Sequence, residues 1–249
     1  GKNDTECCKK NPRFLKNTHT LVLKNGWKFG YFELDPFTHL PQHSQLKDGG
    51  FHELSKFDAL SLDGKDYIVG ITPRYKLFNI YSYDGKSFKH IFHGPAGEGE
   101  LTDIVVLEHG RILIQDEWKL KLVQYHPEQN KLEIIKEITF SNDFKIKLHP
   151  SGNKFLVYTE AFYAGIRMYD DQLNQLAFFQ DPEANAYTRV ISFFDSEYFV
   201  MPTYHYSDDS YQLHFFKINP ATSEITREAS IIQPFEESSF VDLHEVGQP

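Results

Sequence analysis

Three aspartates, Asp58, Asp103 and Asp242, recur near the start of what read as corresponding β-strands, the first two of them 45 residues apart. Carboxylates converging on one point suit Ca2+, which takes six to eight oxygen ligands. A pair of acids flanking a sugar can also cleave a glycosidic bond when they stand about 5–9.5 Å apart. A glycosidase needs distinct acids in distinct roles, however, whereas these three repeat one position. Repetition suits aspartates that each cap a local turn by accepting backbone N–H bonds. The triplet is therefore read two ways, as acids lining a channel or as turn caps.

A second set is aromatic. Trp27, Tyr75, Trp118, Tyr163 and the cluster Tyr204-His205-Tyr206 fall in the predicted connections between second and third strands of successive copies of a repeated unit. Such rings can stack on a sugar or grip a peptide, and they can equally wedge one sheet against the next. The fourth copy carries Pro202 to Tyr211 where the others have a shorter connection. A ligand is therefore expected to meet Tyr204, His205, Tyr206 and Asp208, with Trp118 opposite and Arg74 engaged if the ligand is anionic. The 12 histidines show no His-x-x-x-His spacing, and no Gly-x-Ser-x-Gly turn occurs. The glycines from Gly94 to Gly99 lack the Gly-Lys-Ser/Thr of a phosphate loop and precede a strand, so they read as a crossover between sheets. No catalytic residue, no metal site and no cofactor follow, calcium at the aspartates being the single cofactor option.

The elements that must position these residues are short strands. Phe57 to His93 holds one complete unit of four: 58–64, 66–71, 76–85 and 88–93. Each strand stops at Gly, Asn, Asp or Pro, the punctuation of hairpins. Three further copies follow, and the third-strand tyrosines Tyr83, Tyr125 and Tyr169 succeed one another at 42 and 44 residues. Four strands per period in the low forties predict an all-β propeller. The first copy, Thr18 to Leu46, with its fourth strand at Gln42–Leu46, lacks a first strand, and Phe240 to Val246 resembles a first strand with nothing after it. Five blades are expected, one split between the termini; six is the alternative count. Residues 1–17 are charged and aperiodic and read as a disordered leader, with 18–249 as a single domain.

Composition limits the partners. There are 22 Phe and 14 Tyr against two each of Met and Cys, a bias towards strands. A formal charge of −9, with acids and bases interleaved, argues against a nucleic-acid or anionic-membrane partner, and no apolar run reaches membrane-span length. Cys7 and Cys8 are adjacent with no third cysteine, so no disulfide framework is expected. The chain starts at Gly1, which reads as the removal of a signal segment or a tag.

The segment from Gly94 to Leu101, followed by Asp103 and the strand pair ending at Ile114, resembles the NHL-like and TolB-like propellers of secreted bacterial lipoproteins. The aromatic–lysine steps Trp27-Lys28, Tyr75-Lys76 and Trp118-Lys119 resemble that group as well. The resemblance implies export to the periplasm or cell surface, with a lipid anchor on a removed N-terminal segment as an option. The functional expectation is a non-catalytic binding or scaffold propeller of the cell envelope that holds a glycan or a protein on one end of the ring. The alternative is a glycan-active hydrolase on a five-bladed propeller.

Overall fold

The computed structural model describes residues 12–25, 28–52, 54–72, 77–96, 99–159, 165–180, 186–188, 191–205 and 210–233. Among these no α-helix occurs; the chain runs through five antiparallel sheets in sequence order, the blades of a β-propeller. Blade one is β1 (Arg13–Leu15), β2 (Thr20–Asn25), β3 (Lys28–Glu33) and β4 (Lys47–His52). Blade two is β5 (Lys56–Leu62), β6 (Lys65–Thr72), β7 (Leu77–Tyr83) and β8 (Phe88–Pro95). Blade three is β9 (Leu101–Val106), β10 (Arg111–Asp116), β11 (Lys119–His126) and β12 (Lys131–Thr139). Blade four is β13 (Phe144–Leu148), β14 (Lys154–Thr159), β15 (Gly165–Asp170) and β16 (Gln175–Gln180). In blade five the first strand comes in two pieces, β17 (Ala186–Thr188) and β18 (Ser192–Phe193), both paired with β19 (Tyr198–His205), which leads to β20 (Ser210–Ile218) and β21 (Ile225–Gln233).

The burial pattern follows from position in the blade. β6 is buried at every residue after its first, which explains its unbroken Tyr-Ile-Val-Gly-Ile run: a second strand has both faces covered. β12, the fourth strand of its blade, is mostly exposed and carries Lys and Glu. The chain forms two compact units, residues 1–137 and 138–249. Within the first, Leu15, Val22, Phe29 and Tyr31 pack against Leu54, Phe57, Ile68 and Tyr83 between blades one and two. Val69, Ile71 and Phe78 meet Ile104, Ile112 and Ile114 between blades two and three. Within the second, Leu156, Ile166 and Met168 meet Phe199, Met201 and Phe216.

The recurrent third-strand tyrosines prove to be packing groups. Tyr83 stands edge-on to Tyr31 at 5.4 Å, Tyr125 edge-on to Tyr67 at 5.9 Å, and Tyr169 stacks on Phe155 at 5.6 Å. Burial pushes all three phenols above their ordinary value.

Three expectations need correction. The neighbour of β2 in the first blade is β1, in register Arg13↔Val22 and Leu15↔Thr20, so the slot assigned to Phe240–Val246 is filled from the N-terminal side. Residues 240–246 themselves lie outside the described residues. Residues 13–17, expected within a disordered leader, form β1 and the turn after it, and Arg13 to Thr18 is fixed by polar contacts to blade two. The Arg13 Nε approaches Asp58 Oδ1 at 2.6 Å. Asp66, fully buried, accepts from Asn17 Nδ2 (3.0 Å), from the Thr18 N–H and hydroxyl (2.8 Å each) and from the Ser61 hydroxyl (2.6 Å). Finally, the fourth strand of blade one is Lys47–His52, not Gln42–Leu46. The intervening loop is held by Asp35, whose carboxylate takes the N–H groups of Phe37 and Thr38, and by the Leu34↔Pro41 bridge.

Candidate functional site

Asp58 and Asp103 lie on the first strands of consecutive blades, β5 and β9. Each accepts the N–H of the next residue, Ala59 at 2.9 Å and Ile104 at 3.0 Å. Asp58 also accepts the Val106 N–H at 2.8 Å and faces Arg13, while Asp103 faces Lys56 at 3.8 Å. Asp58 thus ties three successive first strands together, β1, β5 and β9. Burial pushes its carboxyl above the usual range, against the pull of Arg13 and of the two N–H donors. Its lone pairs are committed to protein donors, which fits a strand staple better than a cation or sugar site. Asp242 lies outside the described residues. Among the described residues no group of three or more His, Cys, Asp or Glu side chains gathers as a metal would require.

Trp118 sits on the tight β10–β11 turn after Glu117, which adopts φ 52°, and it is 56% exposed, so it is not a wedge beneath a neighbouring blade. Tyr206, Asp208 and Arg74 lie outside the described residues, as do Trp27, Tyr75 and Tyr163. Tyr204 and His205 are described, and they are strand residues: β19 continues to His205, pairing Pro202 with Leu213, Tyr204 with Tyr211 and His205 with Ser210. The segment read as a long loop is a long hairpin. Phe199 to Thr203 are buried without a break, and His205 is buried as well, the pattern of a second strand covered on both faces. The Tyr204 and Tyr211 rings lie 4.9 Å apart.

A polar position that recurs from blade to blade was missed from sequence. Thr72 and Asp116, the last residues of their second strands, and Thr203, two residues before the end of its own, each contact a third-strand partner opposite the residue two places earlier. Asn79 lies opposite Gly70, Lys121 opposite Ile114 and His214 opposite Met201. The bonds are Asn79 Nδ2 to Thr72 Oγ1 at 3.0 Å, Lys121 Nζ to Asp116 Oδ2 at 2.6 Å, and Thr203 Oγ1 with His214 Nε2 at 2.9 Å. The signal was available: Thr72 and Asp116 are 44 residues apart, one period, and each ends an apolar run. Buried polar groups must find partners, so the geometry is kept while the chemistry varies.

In blade three the pair is ionic and holds the glycine-rich crossover. Asp116 Oδ1 accepts the Gly99 N–H at 2.8 Å, and Lys121 Nζ donates to Ala96 O at 3.1 Å. In blade five the pair belongs to a longer chain. His214, fully buried, places Nδ1 at 2.7 Å from Ser230 Oγ on β21 and Nε2 on Thr203, whose hydroxyl also reaches His205 Nε2 at 3.1 Å. One face of the blade thereby carries an unbroken series of groups able both to donate and to accept, Ser230–His214–Thr203–His205. It runs from an exposed serine to a buried imidazole. Imidazoles joined in such a series can relay a proton.

His149, by contrast, is structural. Its Nε2 reaches Ser196 O at 2.8 Å and its Nδ1 accepts the Ser151 N–H at 3.1 Å, a neutral tautomer that burial favours by depressing its pKa.

No protein-family model matches the chain, and no curated protein matches it by sequence. Solved structures do. The periplasmic gluconolactonase PpgL of Pseudomonas aeruginosa superposes with a TM-score of 0.61 at 12% identity, over 88% of this chain and 71% of that one. A protein of Bacteroides uniformis assigned as a 6-phosphogluconolactonase gives 0.58 at 15%, over 87% and 69%. Hydrazine synthase of Kuenenia stuttgartiensis gives 0.57 at 10%, over 87% and 64%. At these identities the likeness establishes the fold. The expectation of a non-catalytic scaffold is corrected by the names of two of the three, a gluconolactonase and a 6-phosphogluconolactonase.

Proposed function

We propose that this protein is a hydrolase that opens a small sugar-derived ester, with an aldonolactone as the class of substrate. The names of two structural neighbours support that class. The observation that carries the chemistry is the pair of imidazoles, His205 and His214, joined through the Thr203 hydroxyl. Lactone hydrolysis adds one water across the acyl C–O bond. A proton must leave the attacking oxygen, a proton must reach the ring oxygen as its bond breaks, and one is released when the product acid ionises. Imidazole, with a reference pKa near 6.5, serves both transfers at neutral pH. Glycoside cleavage fits less well, since it needs two disposable carboxyls and Asp58 is engaged by Arg13 and Val106.

On this reading Tyr204, Tyr206 and Asp208, which surround His205 in sequence, contact the substrate. Export to the bacterial envelope is part of the same proposal, supported by the resemblance to secreted NHL-like and TolB-like propellers and by a periplasmic neighbour. The test is a pH-stat assay with glucono-δ-lactone and its 6-phosphate, corrected for spontaneous opening. The wild type is expected to turn over one of them, and His205→Gln and His214→Gln to lose about 10²–10⁴-fold. A folded wild type that opens neither above background would overturn the reading.

A further inference from the structure

We propose that Ser230 is the nucleophile of this hydrolase, activated by His214, so that the reaction passes through an acyl-enzyme. The inference rests on the hydrolytic reading above and adds which atom attacks. An activated serine is recognised by a base within hydrogen-bond reach and a third group that orients the base. All three are present on one face of blade five. Ser230 is exposed. Its Oγ lies 2.7 Å from His214 Nδ1, and the opposite ring nitrogen is held by Thr203 Oγ1 at 2.9 Å. The register fixes this arrangement, because Ser230 is the direct cross-strand partner of His214. In one of the two directions that satisfy the chain, the serine O–H donates to Nδ1. The Nε2–H then donates to Thr203, and the Thr203 hydroxyl donates to His205. That direction leaves the nitrogen facing Ser230 as the acceptor a base requires.

Position gives the serine access to substrate. β21 is the last described strand of its sheet, and Ser230 is exposed on it. A small ester reaches Ser230 from solvent without entering the core, and Ile232, 67% exposed and two residues along the same face, offers apolar contact beside it.

The steps balance without any co-reactant beyond water. Ser230 Oγ attacks the lactone carbonyl carbon and its proton passes to His214 Nδ1. The ring C–O bond breaks and the ring oxygen takes that proton, leaving an ester on Ser230. Water then attacks the same carbon and gives a proton to His214. The Oγ–C bond breaks, Oγ recovers the proton, and the hydroxy acid departs. Thr203 and His205 act as positioning residues, holding the tautomer and the imidazolium that forms.

A biotinylated fluorophosphonate, followed by peptide mass spectrometry, reads the nucleophile independently of any lactone. Folded wild type is expected to carry the adduct on Ser230, with labelling lost in Ser230→Ala, in His214→Gln and in urea-unfolded protein. Lactone turnover should fall at least 10³-fold in Ser230→Ala and return in part in Ser230→Cys. Ser230→Ala that opens lactone at the wild-type rate would overturn the proposal while leaving the hydrolase reading intact, since water would then attack directly. Absence of the adduct from a folded, lactone-active wild type would also overturn it, as would equal labelling of folded and unfolded chains. If Ser230 is labelled and turns over p-nitrophenyl acetate but no lactone is opened, the nucleophile stands and the sugar-lactone reading fails.

Discussion

Gly99 is the residue on which the blade two to blade three crossover closes. A Cβ built there would lie 2.6 Å from Asp116 Oδ1 and 2.7 Å from the Glu117 carboxyl carbon, closer than real Cβ contacts come. The absent side chain lets the Gly99 N–H reach a carboxylate already held by Lys121, so the glycine serves close approach and not backbone freedom. The described polar groups of this turn are taken up within the protein: Ala96 O accepts from Lys121, and the Gly99 and Glu100 N–H groups donate to Asp116 and Glu117. Gly99→Ala is expected to cost about 1–3 kcal/mol through overpacking against a buried ion pair, read as a lower urea midpoint with an unchanged slope. A variant as stable as wild type would mean that the crossover shifts freely away from Asp116.

At the scale of the element, β1 is three residues long and would not persist on ladder bonds alone. Polar contacts hold it at both ends. Arg13 meets Asp58 on β5, and the turn that follows the strand delivers Asn17 and Thr18 to Asp66 at the start of β6. Asp66→Ala strands the Thr18 N–H and the Asn17 amide without their acceptor, at about 1–3 kcal/mol for each group left unsatisfied. Amide hydrogen exchange should show the loss first in β1 and β2, where protection is expected to fall while β10 and β11 keep theirs. Uniform loss of protection across the first unit would argue that β1 is coupled more widely than these contacts indicate.

For the whole molecule, buried His149 contributes to the acid limit of stability. Its pKa is depressed, burial being the leading cause. The unfolded chain therefore binds protons at a higher pH than the folded one. Its contribution is complete above the ordinary value of about 6.5 and is lost as pH falls through that value towards the folded one, at up to roughly 1.4 kcal/mol per pH unit. Asp58, with its pKa raised, has the opposite sign and a separate window: it favours the folded state most below the unfolded carboxylate value near 3.9 and less as pH rises through its own. Urea unfolding at pH 8 and pH 5.5 should thus show a loss of stability on acidification that is smaller in His149→Gln. A slope unchanged by that substitution would assign the effect to other groups.

What the sequence determined by itself was the repeat. Period-two alternation, hairpin punctuation and tyrosines at 42 and 44 residues state local backbone preferences, and these sufficed for an all-β chain of five four-stranded blades. Local preference also misled, because Arg13–Leu15 has no apolar pattern to mark it, while the Pro202-Thr-Tyr-His run carries turn-forming residues and is nonetheless strand. Both are decided by partners distant in the chain, Asp58 and Asp66 for the one and Leu213 to Ser210 across the hairpin for the other. The candidate site was less legible still. Asp58 and Asp103 were noticed because they repeat, and they staple strands. Ser230 and His214 lie 16 residues apart with no motif between them, and only the register of β20 against β21 sets one against the other. Register is fixed by which faces are buried, a property of packed blades that no stretch of the chain possesses before it folds.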